Sequence, residues 1–497
     1  MNSSSIPGAA ARAPHRILIM IAVSSSMLLG SVDGSIVNIA LPTLTRALQA
    51  PFHLVEWAVL SFLLGVSTLT LSMGRLGDIV GKKRVFITGV VIFLSASALC
   101  GTARGIYSLI VFRFVQSVGA AMMMSLAIAI VAETWPPEKR ATAMGIVGGV
   151  LSLGGMAGPA LGGWILHLLN WRWIFFVNLP IGLVSLALAW TFIPPLLPER
   201  RGQTFDFIGA ALAGLSMFAI VLAMTLIQTH GLLSAPVIGW AIVALGTFAA
   251  FIYTEQRVSD PMLDLSLFRN PSFCTSLVSG FSVFVSVAGV LLLFPFYLQL
   301  VAKLEQQQIG MVMAITPVML GIWGPFSGML ADRFGARLLT ILGLASVVTG
   351  YFTLSWLGVS SGPAAFVLLQ LPMALGMASF TSANNAAIMT AVPRERLGIA
   401  NGMLTMTRTV GSLSGVALLG TFFYCRLETY VGHAVEVTIA PPASLVRALH
   451  DQFHLADGIV ALGLIIVLRQ AVREWRARRL DSDAIELEAA SMAESEL

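Results

Sequence analysis

Gly74-Arg-Leu-Gly-Asp78-Ile-Val-Gly81-Lys-Lys83 is a stretch of sequence that returns later in the chain as Gly328-Met-Leu-Ala-Asp332-Arg-Phe-Gly335-Ala-Arg337. The two copies match in register at glycine, leucine, aspartate, glycine and the final cation. Each copy follows a long apolar segment. The repeat therefore indicates a chain built from two related halves, the second of which begins some 250 residues after the first.

The composition is that of a protein embedded in a lipid bilayer. Of 497 residues, 57% are hydrophobic and 11% are charged, and the mean hydropathy is +0.87. A soluble domain usually carries about 25% charged residues, so this chain has too little charge to cover a water-exposed globule. Its net charge of +5 does not indicate a nucleic-acid partner, because cationic residues accumulate in the cytoplasmic loops of membrane proteins. The sequence predicts an all-α integral membrane protein.

Fourteen segments are long and apolar enough to span a membrane, which takes roughly 20 residues per helix. The first eight are predicted at Ile17–Leu41, Val55–Met73, Val85–Thr102, Ile106–Ala132, Ala141–Leu169, Trp173–Ile193, Phe207–Ile227 and Ala235–Thr254. The remaining six are predicted at Phe273–Gln299, Ile309–Leu330, Leu338–Leu357, Pro363–Thr390, Ile399–Tyr424 and Phe453–Leu468.

The repeated loop follows the second and the tenth of these spans, which sets the domain organisation. We predict an amino-terminal six-helix bundle over residues 1–194 and two extra linker helices over 195–270. A carboxyl-terminal six-helix bundle over 271–472 and a cytoplasmic tail over 473–497, either a short helix or disordered, complete the 6+2+6 architecture. Internal symmetry of this kind is typical of secondary transporters.

The distribution of lysine and arginine predicts the orientation in the membrane. With a cytoplasmic N-terminus, the inner loops and ends hold about 21 cationic residues and the outer loops about 6, in agreement with the positive-inside rule. Because an odd number of spans would reverse this alternation, both termini are expected in the cytoplasm. The predicted location is the plasma (inner) membrane.

Asp33 lies deep in the first predicted span. An aspartate there costs roughly 2.5–3.5 kcal/mol on insertion scales, so carboxylates in membrane spans usually have a function. We expect Asp33 to bind and release a proton as its exposure to water changes. The alternative is a structural carboxylate that pairs with Arg113 or bonds within the bundle. Arg113, with Gln116 one turn along the same helix face, is either the coupling partner of Asp33 or a snorkelling arginine near the membrane interface.

The fifth predicted span is crowded by Gly154, Gly158, Pro159, Gly162 and Gly163. Small residues four apart allow two helices to approach closely, and a proline removes a backbone hydrogen bond and kinks its helix. Tight packing alone would explain the pattern. The stronger interpretation is that this helix bends or slides during a transport cycle.

Uncharged polar residues within the spans predict where a substrate binds. Asn38, Gln116, Gln299, Asn384 and Asn385 either line a cavity or bond from helix to helix. Arg408, in the thirteenth span, has no acidic partner within its own helix, and its role stays open.

The sequence predicts neither a metal site nor an enzymatic centre. Its three cysteines lie far apart, without the spacing of a thiolate metal site. The expected energy source is the proton gradient, with no cofactor.

Several motifs, in order along the chain, resemble those of one family. Ser31-Val-Asp33-Gly-Ser-Ile-Val-Asn38-Ile-Ala-Leu-Pro42 is similar to its first-helix motif, and Gly74 to Arg84 to its signature loop. Arg113-Phe-Val-Gln116-Ser-Val-Gly119 is similar to the fourth-helix motif, with Ser117 where a glycine is usual. The stretch from Gly154 to Gly163 looks like the fifth-helix antiporter motif, and Trp171-Arg-Trp-Ile-Phe-Phe-Val-Asn178-Leu-Pro180-Ile-Gly182 resembles the link into helix six. Over nearly its whole length the chain resembles the fourteen-helix drug:proton antiporters of the major facilitator superfamily.

The resemblance implies two pseudo-symmetric bundles that open a central cavity alternately to each side of the membrane, with Asp33 and Arg113 as the proton-coupling pair. It also implies a conformational latch in the repeated loops. Asp78 is then expected near the N-terminus of the thirteenth helix in the outward-open state, where the helix dipole favours its charge. The predicted latch residues are Gly74, Asp78, Gly81, Lys82, Arg84, Asp332, Arg333, Gly335 and Arg337.

The expected function is proton-coupled export of lipophilic small molecules, as in multidrug efflux, by a monomer. Its partners are the substrate, protons and the lipid bilayer. One alternative is a dedicated exporter of a single endogenous metabolite or lipid-like product. A proton symporter is disfavoured, because the first helix lacks an ExxER-like cluster and the Gly158-Pro159 pattern is present.

Overall fold

The protein is described by a computed structural model over residues 13–136, 140–196, 207–257, 265–392 and 397–495, and these residues form α-helices without any β-strand. The amino-terminal group of helices comprises α1 (Ala13–Leu48), α2 (Phe52–Val55), α3 (Trp57–Val80), α4 (Lys82–Thr102), α5 (Ile106–Thr134), α6 (Arg140–Leu168), α7 (Trp173–Phe176) and α8 (Asn178–Phe192). The linker pair is α9 (Phe207–His230) and α10 (Ala235–Glu255). The carboxyl-terminal group comprises α11 (Pro271–Phe296), α12 (Gln306–Met313), α13 (Ile315–Phe334), α14 (Ala336–Leu354), α15 (Pro363–Thr390), α16 (Leu397–Val431) and α17 (Pro442–Ser495).

These helices confirm the predicted all-helical membrane fold. Within the described residues, thirteen segments are long and apolar enough to cross a membrane. The fifth predicted span, which is not among the thirteen, is the 29-residue helix α6. Large apolar side chains such as Ile242, Leu245 and Trp190 are 63%, 71% and 68% exposed. An apolar exterior of this kind suits a surface that faces lipid rather than water.

A proline divides each of two predicted spans into two helices. The sixth span divides into α7 and α8, and the tenth into α12 and α13. Pro180 and Pro317 lie at the start of the second helix of each pair. Because proline has no backbone N–H, it cannot bond the carbonyl four residues earlier, which here belongs to the last residue of the preceding helix.

The largest differences between predicted and observed helix ends occur at the last span. It was expected at Phe453–Leu468, but α17 begins at Pro442 and continues to Ser495. The stretch after α16 is therefore shorter than predicted, and the described part of the tail is helical. The first helix is also longer than predicted at both ends.

The two groups pack their helices in the same pattern. In the amino-terminal group α1 packs on α6, α4 on α5 and α3 on α5. In the carboxyl-terminal group α11 packs on α16, α14 on α15 and α13 on α15. The linker helix α9 packs on α10 and also contacts both groups, through α3 and α16. The equivalent helix pairs agree with the repeat seen in the sequence. The domain limits at residues 194 and 270 stay predictions.

The helix ends lie at two opposite faces, which we name the Lys82 end and the Trp171 end after the loops they carry. At the Trp171 end the two groups are in close contact. A Cβ atom at Gly163 of α6 would lie 2.5 Å from the carbonyl oxygen of Gln306 and 2.8 Å from Cα of Gly310 in α12. The Gln306 amide also donates to the hydroxyl of Thr43 on α1 at 3.3 Å. These contacts close the Trp171 end between the groups.

Candidate functional site: a buried ion pair beside a central cavity

Asp33 is completely buried in the amino-terminal group, and both of its carboxylate oxygens accept hydrogen bonds. Oδ2 pairs with the guanidinium of Arg113 on α5. Oδ1 accepts from the side-chain amide of Gln116 at 2.9 Å and from that of Asn178 at 2.8 Å. Ser97 on α4 joins the cluster by accepting from Gln116 at 2.7 Å. Three helices, α1, α5 and α8, thus meet at one carboxylate, and α4 joins them through Ser97.

Arg113 is equally enclosed and is held by several partners besides Asp33. Its Nε donates to the carbonyl oxygen of Ala58 at 2.9 Å, and Nη1 donates to the side-chain oxygen of Gln116 at 2.8 Å. Its guanidinium carbon lies 4.3 Å from the centre of the Phe62 ring, within cation–π range. A buried arginine with these contacts is not a snorkelling side chain, whose charged head would reach water. The structure therefore excludes the snorkelling alternative for Arg113. The ion pair fits both the coupling interpretation and the structural alternative for Asp33, so proton coupling stays a prediction.

Asn178 and Ser97 are members of this cluster that the sequence reasoning did not select. Asn178 begins α8, in an otherwise apolar run that follows Trp171 and Arg172. An amide side chain within an apolar run is costly to bury, and this could have identified Asn178 as a candidate. Arg172 holds the neighbouring loop by donating to the carbonyl oxygens of Gly101 and Ala103 at 2.9 and 2.6 Å. Ser97 carried no signal, because a serine can bond within its own helix.

A cavity of about 220 Å³ lies between the two groups, next to the opposite face of α1. Ser35 and Asn38 of α1 line it, and residues two apart on a helix point in nearly opposite directions, so Ser35 faces away from the ion pair of Asp33. Its walls are largely apolar, and are contributed by α6, α11, α12, α13 and α15. The residues that line it are Ser35, Asn38, Leu151, Gly155, Pro159, Leu291, Met313, Thr316, Pro317, Leu320 and Met377.

Of the five polar residues predicted to line a substrate cavity, Asn38 alone lies in the wall of this one. Gln116 belongs to the Asp33 cluster. Gln299 lies in a π-helical turn over Tyr297–Val301 that follows α11. In α15, Asn384 is buried and the amide oxygen of Asn385 accepts from Arg408. These four residues lie outside the wall of this cavity, and their predicted contact with substrate stays a prediction.

Comparison with known proteins identifies the family. Residues 23–416 match the family model described as Major Facilitator Superfamily. The chain belongs to the major facilitator superfamily. It is 32% identical over 437 residues to the multidrug resistance protein Stp of Mycobacterium tuberculosis, covering 86% of this chain and 79% of that protein. It is 29% identical over 454 residues to the riboflavin transporter RibZ of Clostridioides difficile, covering 91% and 96% of the two chains.

Solved structures show the same superfamily fold. A bacterial homologue of the human lysosomal transporter Spinster, in an inward-facing and unoccupied conformation, superposes with a TM-score of 0.66 at 15% identity. The match covers 92% of this chain and 97% of that one. At this identity the likeness establishes the fold alone. The family model and the curated relatives confirm the superfamily predicted from the motifs.

The glycine-rich helix of this superfamily member forms one wall of the cavity and is pressed against α1. A Cβ atom at Gly154 would lie 2.6 Å from Cβ of Ser31, and one at Gly162 would lie 2.6 Å from Cγ2 of Ile39. At Gly158 it would overlap the hydroxyl of Ser35. Pro159 lies within the helix and lines the cavity. The close approach of α6 to α1 accounts for the glycines, whereas sliding of α6 stays a prediction.

The first repeated loop lies at the Lys82 end and is held by ion pairs within the amino-terminal group. Asp78 pairs with Lys82 at 3.3 Å, and Lys82 also pairs with Glu133 at the end of α5. Gly81 has φ +107°, a value that side chains rarely adopt, which explains the glycine between α3 and α4. Gly74 faces α5, where a Cβ atom would lie 3.8 Å from Cβ of Ser125. Arg84 is exposed.

The second repeated loop adopts the same turn but has a different anchor. Gly335 has φ +91°, which matches Gly81 of the first loop. Arg337 pairs with Glu474 on α17, with one distance of 2.5 Å, and Arg333 lies 5.4 Å from the ring centre of its neighbour Phe334. The side chain of Asp332 lies outside the described part of the chain. The latch function of both loops stays a prediction.

Proposed function

We propose that this protein is a proton-coupled antiporter that exports lipophilic small molecules by alternating access. The observation that carries the proposal is the placement of α1. One face of this helix holds the buried Asp33 and its amide and guanidinium partners, and another face supplies Ser35 and Asn38 to the cavity wall. Proton binding and substrate binding would therefore act on the same helix from two sides.

In the proposed cycle a proton that binds Asp33 removes the negative charge that balances Arg113. Because a buried guanidinium without a counter-charge is costly, the cluster would rearrange and displace α1 relative to α4, α5 and α8. The close contact between α1 and the glycine face of α6 would carry that displacement to the cavity wall. Substrate release and proton uptake are linked in this way without direct contact between the two ligands.

The proposed orientation places the Lys82 end and both termini in the cytoplasm, in the plasma membrane. Contacts between the groups close the Trp171 end, which would then be the external face, so the conformation would be inward-facing. Asp78 pairs with Lys82 in this conformation. Its proposed place near the N-terminus of α16 would be taken up in the outward-open state. Cysteines at Lys83 and Val431 should be labelled from the cytoplasmic and the external side respectively, and the reverse pattern would overturn this topology.

The energy available is sufficient for export. One charge that moves through 100 mV yields about 2.3 kcal/mol, and about 1.4 kcal/mol sustains a tenfold concentration ratio. A single proton could therefore maintain a gradient of more than tenfold for a neutral compound. The largely apolar cavity wall supports lipophilic substrates, and the relative named for multidrug resistance supports export.

A second candidate function is transport of one metabolite, which the similarity to the riboflavin transporter favours. A site for a single compound and a multidrug site would give different substrate profiles. Substrate-induced proton release from the purified protein, screened over dyes, antibiotics, lipids and riboflavin, separates them. Release with several unrelated compounds supports multidrug export, whereas release with one compound supports a dedicated transporter.

The direction of transport needs a second measurement, in vesicles with an imposed proton gradient. Antiport predicts that substrate moves against the direction of proton flow, and that an ionophore that collapses the gradient abolishes this movement. Substrate movement in the same direction as the protons would identify a symporter and overturn the proposal. Heat-unfolded protein is the control for proton release that does not depend on the fold.

A further inference from the structure

A second buried carboxylate, Glu56, lies between α2 and α3 at the Trp171 end. Its side chain has no solvent exposure. Oε2 accepts from the amide of Gln228 on α9 at 3.0 Å, and Oε1 has no hydrogen-bond partner in the described part of the chain. The same Gln228 amide nitrogen donates to the hydroxyl of Thr421 on α16 at 3.0 Å, and that hydroxyl donates to the carbonyl oxygen of Met224 at 2.9 Å.

The carboxyl group is placed where three parts of the molecule meet. Glu56 belongs to the amino-terminal group, Gln228 to the linker pair, and Thr421 to the carboxyl-terminal group. The carboxyl group of Glu56 contacts α16 at Gly420, where a side chain would not fit, because a Cβ atom at this glycine would overlap Oε1 of Glu56. Separation of α3 from α16 at this end would therefore remove Glu56 from its enclosure.

The cluster contains too few hydrogen-bond donors for an ionised glutamate. A carboxylate has only acceptors, and among the described residues Gln228 Nε2 is the single donor that reaches it. The side-chain oxygen of Gln228 is also buried without a partner. A proton on Glu56 supplies a donor and removes a charge that has no ion-pair partner among the described residues. Burial of an unpaired ion costs far more than burial of the neutral acid.

Other titratable groups on the neighbouring elements do not pair with Glu56 in the described structure. Arg113 of α5 donates to the carbonyl oxygen of Ala58, but its charge is paired with Asp33, and Arg46 at the end of α1 is exposed. His53 lies on α2, His230 bonds to Thr229, and Arg426 is held by Asp451 and Tyr430. Tyr424 and Cys425 follow on α16, while Arg75, Asp78, Arg408 and Glu428 lie further along their helices from Glu56, Gln228 and Gly420. None of them forms a described hydrogen bond or ion pair with Glu56.

We propose that Glu56 is a proton-binding site that controls closure of the Trp171 end. A protonated Glu56 fits between α3, α9 and α16 and stabilises the closed end, whereas an ionised Glu56 favours the open end, where water reaches it. Linkage requires that the state with the higher proton affinity gains population as protons become available. Lower pH therefore favours closure, and higher pH favours opening. This goes beyond proton-coupled export, because it needs no substrate and no titration of Asp33.

The test is a distance measurement across the Trp171 end as a function of pH, without substrate. Spin labels are attached to cysteines at Arg104 and Ser360, exposed positions in loops of the two groups, after replacement of the native cysteines. The full-length protein should show a short distance at low pH and a growing long-distance population as pH rises. Glu56→Gln, which keeps the shape and cannot ionise, should lose this pH dependence and stay closed.

Controls distinguish Glu56 from its neighbours and from the proposed coupling site. His53→Gln, His230→Gln and Asp33→Asn should each retain the pH-dependent opening. Thr421→Val, which alters the hydrogen bonding of the cluster but not its titratable group, should retain it too. A second readout is the infrared carbonyl band of a buried protonated carboxylic acid, measured in the Asp33→Asn background. It is expected in the closed Asp33→Asn protein and absent in Asp33→Asn/Glu56→Gln.

Two results would overturn the proposal. One is a wild-type protein whose distances do not change with pH, and the other is a Glu56→Gln variant that opens with pH as the wild type does. If Asp33→Asn alone abolishes the response, the proton site is Asp33. Failure of substrate-induced proton release, by contrast, would remove the proposed antiport and leave this measurement unaffected.

Discussion

The amino-terminal and carboxyl-terminal groups share one packing pattern but differ in the chemistry at equivalent places. Gly328 follows Gly74 by 254 positions, and the same offset relates Gln116 to Gln370 and Arg113 to Val367. Gln116 binds Asp33, whereas the buried Gln370 donates to the carbonyl oxygen of Val312 at 3.3 Å. One half has an ion pair at its centre where the other has an apolar side chain.

Aromatic packing takes the place of charge in the carboxyl-terminal group. Phe366 precedes Val367 and stacks on Tyr297, with ring centres 5.8 Å apart, and meets Phe294 edge-on at 4.8 Å. This aromatic cluster contains no carboxylate and no cation. The comparison indicates that helix packing is shared by the halves of this molecule, while the ion pair of Asp33 and Arg113 has no counterpart at Val367, the position equivalent to Arg113.

The strongest test of this difference is Asp33→Asn. The variant should still fold and reach the membrane, because asparagine preserves the shape and can still accept from Gln116 and Asn178, although the unpaired Arg113 should lower its stability. It should lose substrate-induced proton release completely, since the titratable group is gone. The matched control is Asp451→Asn in the other half, where Asp451 pairs with Arg426 at 2.5 Å; this variant should release protons normally. Proton-driven efflux by Asp33→Asn in vesicles would refute the assignment.

Arg113→Met should destabilise the protein by about 3–5 kcal/mol, the cost of leaving one member of a buried ion pair without its partner. Thermal unfolding in detergent measures the loss. The double variant Asp33→Asn/Arg113→Met should recover part of this stability, because no buried charge is left unbalanced. Val367→Met provides the corresponding change in the apolar half and should cost less. Equal losses in all three variants would show that the effect is one of packing rather than charge.

Glycine-to-alanine substitutions should show the reverse difference between the two groups. The loss of stability should be larger at Gly415 in the carboxyl-terminal group than at Gly158 in the amino-terminal group. A Cβ atom at Gly415 of α16 would overlap the carbonyl oxygen of Val285 and lie 2.8 Å from its Cα. At Gly158 the overlap is with the Ser35 hydroxyl, which can rotate away, while Cβ of Ser35 and the carbonyl oxygen of Val32 lie at 3.0 Å. Overpacking costs typically 1–3 kcal/mol, so Gly415→Ala should lower the unfolding temperature more than Gly158→Ala. Gly246→Ala, a position with open space around it, is the control.

The smallest effect is expected for Asp78→Asn in the first repeated loop. A charge at a helix N-terminus contributes about 0.3–1 kcal/mol, so loss of the proposed latch should slow alternation about two- to fivefold. Substrate affinity and proton release should stay close to wild type. Stopped-flow measurement of the transport rate, together with equilibrium binding, tests both points. If the variant instead loses proton release, Asp78 belongs to the proton path.

Much of the fold followed from local sequence properties. The all-helical membrane class and the repeat depend on composition and on residues close together in the chain, and the spans were located within several residues. Breaks at Pro180 and Pro317 could have been predicted from the missing N–H. The extent of α17 could not have been predicted in this way, because the two ends of this helix are too polar to be recognised as part of a membrane span.

The sequence by itself determined which residues are costly to bury, and hence that Asp33 and Arg113 needed an explanation. Only the tertiary structure decided that they are partners, since 80 positions separate them and their distance depends on how α1 packs against α5. The same holds for Asn178 and Ser97, and most clearly for Glu56. A glutamate at the edge of a predicted span is ordinary in sequence, because such a position normally reaches water. Glu56 becomes a buried acid with only one hydrogen-bonded oxygen because α9 and α16 cover it. That contact depends on packing between helices that are far apart in the sequence.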